Sequence, residues 1–166
     1  MPRTLVKRSD KVSFFGNVDS GTETFNRMRG FTTLSQSKNP SEYSRQYVDE
    51  EFETTDVTGY SPSIEFGFDQ YAGDPVHDEM VGILDDEKTG DDARRNIVTV
   101  DFSQPIEGGG YKATKRNYSI IGDTDGDSMD AYTYSGTFRA TGERIKGTAT
   151  MNSDSSVATF TADASL

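Results

Sequence analysis

Asp123, Asp125 and Asp127 are the residues with the most evident chemical potential, because they alternate along Asp123-Thr124-Asp125-Gly126-Asp127. Carboxylates at alternate positions are how a loop begins to wrap a hard cation such as calcium. The pattern then breaks: glycine stands at the fourth place and not the sixth, and Tyr134 occupies the twelfth, where a bidentate glutamate would close the shell. The segment reads as a solvated turn. His77 is the single histidine and cysteine is absent, so a zinc ion would have to draw nearly all its ligands from carboxylates, which is uncommon. Beside Asp78 in the first turn of a predicted helix, His77 fits a surface or packing role better than that of a general base. Glu50 with Glu53, and Asp85 with Asp86, are carboxylate pairs of the kind a glycosidase uses, but among 28 acidic residues such pairs arise by chance. The triple glycine at 108–110 follows Pro105 and precedes a strand, so it lacks the strand-turn-helix context of a phosphate-binding loop. No nucleophile, base and orienting group combine, and no cofactor or metal site is expected. The chain reads as a protein that is not an enzyme, and its function must lie in its surfaces.

Composition narrows those surfaces. A chain of 166 residues is expected to form one domain around one core. Only 32% of residues are hydrophobic, which is thin for a self-sufficient globule, yet ten phenylalanines and eight tyrosines argue against disorder. Seventeen basic and 28 acidic residues leave a net charge of −11, which disfavours general attraction to nucleic acid or anionic lipid. Without cysteine there is no disulfide framework. Arg3, Lys7, Arg8 and Lys11 are followed by no apolar run of signal-peptide length, and no stretch approaches the ~20 apolar residues of a membrane span. Folding in a cytoplasm, with no membrane partner, is the expectation.

The elements that would position any site are mostly strands. Residues 1–11 are basic and polar, an N-terminal arm that is mobile or docked on a neighbour. Phe14 and Phe15 open the first strand, and Asn17 to Gly21 supplies turn chemistry before Phe25 and Met28. Phe31 to Ser35 is a second strand-like run, and Glu42 to Val48 is expected to pair back onto it across Lys38-Asn39-Pro40. Ile64, Phe66 and Phe68 share one face of a strand and Glu65, Gly67 and Asp69 the other. A single helix is expected over about 74–89: Asp74 can cap it, Pro75 suits its first position, Gly90 stops it, and Val76, Met80, Ile83 and Leu84 form its apolar stripe. Val98, Val100 and Phe102, then Tyr132, Tyr134 and Phe138, then Ile145, Gly147, Ala149 and Met151 mark later strands, with a polar loop at Asp123 to Asp130 and a closing strand at Val157 to Ala162. The predicted class is mainly β, a small barrel or sandwich with one helix on its flank.

The stretch from Phe25 to Ser61 is the most distinctive. It carries Phe25-Asn26-Arg27-Met28, Gly30-Phe31-Thr32-Thr33-Leu34, Ser37-Lys38-Asn39-Pro40, Glu42-Tyr43-Ser44-Arg45-Gln46-Tyr47-Val48-Asp49-Glu50 and Asp56-Val57-Thr58-Gly59-Tyr60-Ser61, with later echoes at Pro75-Val76-His77, Ala131 to Gly136 and Gly147 to Thr150. These blocks resemble the tail tube protein (major tail protein) family of long-tailed bacteriophages and phage-tail-like particles. The resemblance spans Phe25 to about Thr150.

It implies a single tail tube domain over 1–166 that assembles with itself into hexameric rings stacked as a hollow tube. Sheets of adjacent subunits would join into a lumen wall, and an extended hairpin or loop at about 39–59 would reach a neighbour. Within that span Tyr43, Arg45, Tyr47, Asp49, Glu50 and Phe52 are the expected inter-subunit contacts, tyrosines as anchors and Arg45 pairing a carboxylate on a neighbour. The implied partners are further tail proteins such as a tape measure, a terminator and a sheath, with DNA passing through the lumen without specific binding. The implied location is the virion tail, assembled in the host cytoplasm. Part of the acidic surplus is expected to face the lumen. The competing reading is a monomeric sandwich that binds surface carbohydrate through Tyr132 and Tyr134.

Overall fold

Eleven strands, one α-helix and two short 3₁₀ turns form in the computed structural model, which describes residues 2–163. Met1 of the N-terminal arm and residues 164–166 of the 1–166 domain lie outside them. The first hairpin shows how local chemistry sets register. Strands β1 (Lys11–Asp19) and β2 (Thr22–Arg27) meet at Ser20-Gly21, with φ of 50° and 82°. Positive φ at both central residues matches the right-handed twist of the flanking strands.

Six strands close a barrel. β7 (Arg94–Pro105) pairs with β1, β8 (Tyr111–Asp125) with β7, β10 (Ile145–Met151) with β8, β11 (Val157–Ala162) with β10, and β11 meets β2 to complete the ring. Every contact is antiparallel. Phe14, Phe25, Val98, Val100, Ala113, Ala149 and Ala158 fill the interior, as the alternation over Val98–Phe102 requires. Between them the interior is so narrow that a Cβ on Gly147 would stand 2.2 Å from the Thr161 carbonyl and 2.7 Å from the Phe160 ring.

The sheet does not end at the barrel. β8 is 15 residues long; Tyr111 to Lys115 pairs with β10, while Tyr118 to Asp125 pairs with β9 (Thr133–Ala140). Beyond β9 follow β6 (Ser63–Asp69) and β3 (Phe31–Ser37), the last strand of the sheet. Helix α1 (Pro75–Asp85) covers one face, where Phe15, Ile64, Phe66, Phe68, Ile97, Tyr118, Ile120 and Phe138 form a second core with Val76, Met80 and Ile83. Phe66 and Phe138 stack at 4.5 Å and Phe31 tilts on Phe68 at 4.9 Å. Neighbouring Phe14 and Phe15 thus point into different cores. The expected barrel with a flanking helix is what forms.

A glycine holds the junction open. A Cβ on Gly136 would lie 2.1 Å from the Ile121 carbonyl and 2.9 Å from the Phe66 ring, beside the bulge at Gly122 and Thr124. Gly136→Ala is therefore expected to cost at least about 3 kcal/mol, the upper range of overpacking penalties. Urea titration should show a lowered midpoint with an unchanged slope.

Three expectations require correction. The helix ends at Asp85, short of 89, because a Schellman arrangement stops it: Glu87 takes φ 51°, its N–H donates to the Leu84 carbonyl, and Lys88 N–H donates to that of Ile83. Gly90 to Ala93 is instead a separate 3₁₀ turn. Asp123 and Asp125 belong to β8 and not to a loop. Finally, the chain after Asn39 does not fold back on β3. β3 pairs with β6, so that Phe31 faces Phe68 and Leu34 faces Phe66, a burial that Tyr43 and its polar neighbours could not have supplied.

Candidate functional site

The segment displaced from β3 makes its own structure. β4 (Pro40–Arg45) and β5 (Thr54–Tyr60) form a separate two-stranded ribbon, Pro40 opposite Tyr60 and Arg45 opposite Thr54. Six residues of strand make an arm about 20 Å long at ~3.3 Å per residue. Its root is clamped by Asn39, which adopts φ 47° and donates Nδ2–H to the Ser61 carbonyl and to Ser63 Oγ, both at 3.0 Å, while Ser61 N–H returns a bond to the Asn39 carbonyl. Asparagine tolerates the left-handed conformation that turns the chain out of the sheet.

Arg45 organises the far end. Its guanidinium reaches Asp56 on β5 at 2.6 Å, donates Nε–H to the Tyr47 hydroxyl at 2.5 Å, and lies 5.1 Å and 5.3 Å from the ring centres of Tyr43 and Tyr47. The bond to Tyr47, then that to Asp56, holds the guanidinium still more firmly protonated than usual. An exposed pair of this kind adds little to stability. Its effect is to fix two tyrosines and both strands in one arrangement.

Beyond it, Gln46 Nε2 donates to the carbonyls of Glu50 and Glu51, each at 3.1 Å, and Glu50 N–H donates to the Tyr47 carbonyl. The closed tip presents Val48, fully exposed, and Phe52, 77% exposed, among Asp49, Glu50, Glu51 and Glu53. Of the six predicted contact residues, Tyr43, Arg45 and Tyr47 converge in one cluster, and Asp49, Glu50 and Phe52 lie on the tip. The carboxylate that Arg45 meets is Asp56 of its own arm and not a neighbour's; Asp56 and Gln46 had no assigned role, since the first depends on the ribbon's register and the second on the fold of the tip.

A second surface lies on the face of the sheet that α1 leaves bare. Residues opposite one another share a face, so the register defines cross-strand rows: Ser37, Ser63, Arg139 and Ser119; Ser35, Glu65, Thr137 and Ile121; Thr33, Gly67 and Ser135. Hydroxyl groups dominate it. The outer edge of β3 has no strand partner among the described residues, and Arg8 Nη2 donates to its Leu34 carbonyl at 3.1 Å. An unpaired edge is a template for pairing with another chain. The N-terminal segment before it leaves Leu5 84% exposed.

The other candidates fall into supporting positions. Asp125 accepts from the Tyr132 hydroxyl at 2.7 Å and Asp127 from Thr133 Oγ1 at 2.6 Å. Among the described residues no three His, Cys, Asp or Glu side chains converge. Tyr134 is buried against Phe68, and burial, then the Asp85 carboxylate its hydroxyl donates to, push its pKa up to about 12. Only Tyr132 of that pair is exposed to meet a sugar. His77 is wholly buried.

The class these features define is a mainly-β barrel domain with one flanking helix, an unpaired sheet edge and a projecting ribbon. No protein-family model and no curated protein matches the chain. Among solved structures, a chain from the cryo-EM structure of the anti-feeding prophage (AFP) baseplate, 6-fold symmetrised, is similar over 82% of this chain and 89% of that one, with 13% identity and a TM-score of 0.45.

Proposed function

We propose that this chain is the repeating subunit of a phage-type tail tube, a structural protein without catalytic activity that forms stacked hexameric rings. The observation that carries the reading is the ribbon. A preordered arm that exposes Val48 and Phe52 far from its own core is built to bury them on something else. The free edge of β3 supplies a different, lateral contact, since strand pairing with an adjacent copy would extend the sheet and satisfy its open backbone groups. The sequence blocks from Phe25 to about Thr150 point to the same family.

In this arrangement the hydroxyl-rich face lines the lumen. Duplex DNA carries about one negative charge per 1.7 Å, so a basic wall would capture it by counterion release. The rows of Ser and Thr with Glu65 and Arg139 offer no such array, and most of the acidic surplus stands elsewhere, on the arm tip and near the end of α1. DNA passes over a hydrated, nearly neutral surface. Other tail proteins are the partners at the tube ends, and the virion tail is the location, with assembly in the host cytoplasm.

Negative-stain microscopy and sedimentation of the purified protein test this directly. Hollow, evenly striated rods, or rings with six-fold symmetry, are expected as concentration rises. A species that sediments as a single chain at every concentration would remove the reading.

A further inference from the structure

A groove of about 500 Å³ opens at the root of the ribbon, between Tyr60–Pro62 and the turn at Ala140–Gly142, with Arg116 and Arg139 on its walls. Arg116 Nε donates to the Gly142 carbonyl at 2.8 Å, which fixes its guanidinium at the groove. Arg144 follows on the same turn. Its charge and that of Arg116 both act on the Tyr118 hydroxyl, opposing the dominant upward push of burial on that group. Glu143 is the one acid on this turn. Among the described residues, none of the three arginines has an ion-pair partner. In a chain of net charge −11 this is a local reversal of sign.

Its complement is on the same molecule and out of reach. Residues 46–60 hold Asp49, Glu50, Glu51, Glu53 and Asp56 and no basic residue. Asp56 lies within β5 and is engaged by Arg45, but the tip that presents the other four sits at the far end of a paired ribbon about 20 Å long, so it cannot fold back into the groove at its own root. We infer that the acidic, apolar tip of one copy docks in the arginine groove at the root of the next copy's ribbon. The inference rests on reading the chain as a self-assembling subunit.

Planar guanidinium groups suit carboxylates, which they can grip in two places at once. Tyr60, 59% exposed beside the groove, offers an apolar face for Val48 or Phe52. Tip and groove are different surfaces, so the contact is heterologous: each copy that donates a tip also offers a groove, and addition continues from copy to copy. Charge at the rim sets partner choice and rate of encounter more than final affinity.

The absence of cysteine makes a direct test available. In the full chain, Val48→Cys and Gly142→Cys place thiols at two exposed positions, and a side chain at 142 meets open space. Oxidation under assembly conditions should yield a ladder of covalent multimers well beyond dimer, whereas either single variant stops at dimer. In parallel, Arg116→Glu with Arg139→Glu, or Glu50→Arg with Glu51→Arg, should raise the concentration needed for assembly at least tenfold, and the two pairs combined should restore it. Rods from the wild-type protein with no ladder, and with no rescue by the combined variant, would overturn the docking while leaving the tube reading intact. Absence of wild-type assembly at any concentration would overturn both. A groove that retains short DNA duplexes through Arg139 without forming the ladder would also overturn it. Where a charge-reversed variant fails to fold by circular dichroism, the cysteine pair decides.

Discussion

Replacing His77 with alanine is expected to destabilise the fold by about 4 kcal/mol, combining a cavity with two abandoned hydrogen-bond partners. The ring is fully buried where three connections meet. Tyr71 N–H donates to Nδ1 at 2.9 Å, which leaves Nδ1 without a proton, so the proton is on Nε2 and is donated to the Arg29 carbonyl at 2.6 Å. Phe68 stacks on the ring at 4.7 Å and Phe31 meets it edge-on at 5.7 Å. One side chain thereby ties α1 to the turn before β3 and to the end of β6. Alanine would orphan both backbone groups and leave an opening among aromatic rings. Urea unfolding of the dispersed protein should show a midpoint lowered in proportion, at constant slope. Glutamine, whose amide can serve one of the two partners, should recover part of the loss. An alanine variant within about 1 kcal/mol of wild type, the size of an ordinary surface change, would contradict this account.

Excising the ribbon is expected to have the opposite profile, a total loss of assembly with little loss of stability. Pro40 and Tyr60 face each other in register, so residues 41–59 can be replaced by Asn-Gly, the pair best suited to a two-residue hairpin. The ribbon forms its own sheet, and none of its residues belongs to either buried core. The shortened protein should unfold within about 1 kcal/mol of the intact chain, since exposed segments contribute little. It should form no rods at any concentration. Normal rods would show that the arm is dispensable, and a collapsed fold would show that it is part of the domain.

Much of the architecture could be read from the chain because it is local. Alternation placed Ile64, Phe66 and Phe68 on one face, and Asp74-Pro75 marked the helix start, where Asp74 does accept from the Val76 and His77 amides. What was not legible depends on distant partners. Phe31 and Leu34 could equally have met the next strand, and it is Phe66 and Phe68, some thirty residues on, that claim them. The helix end was misplaced because glutamate and not glycine holds its left-handed cap. For His77 a surface and a packing role both stood open, and the fold selects packing, since nothing nearby in sequence announces that Tyr71 and Arg29 will converge on it. On the arm, the clustering of Tyr43, Arg45 and Tyr47 required the register that sets Asp56 across from Tyr43.

The length of β8 has a mechanical consequence. One continuous strand is laced to β10 over its first residues and to β9 over its last. Because antiparallel bonds lie crosswise to the strand, tension along β8 strains them together in shear and does not peel them one at a time. The strand acts as a rivet between two plates, and a wall built of such parts gives up neither plate until the whole seam slips.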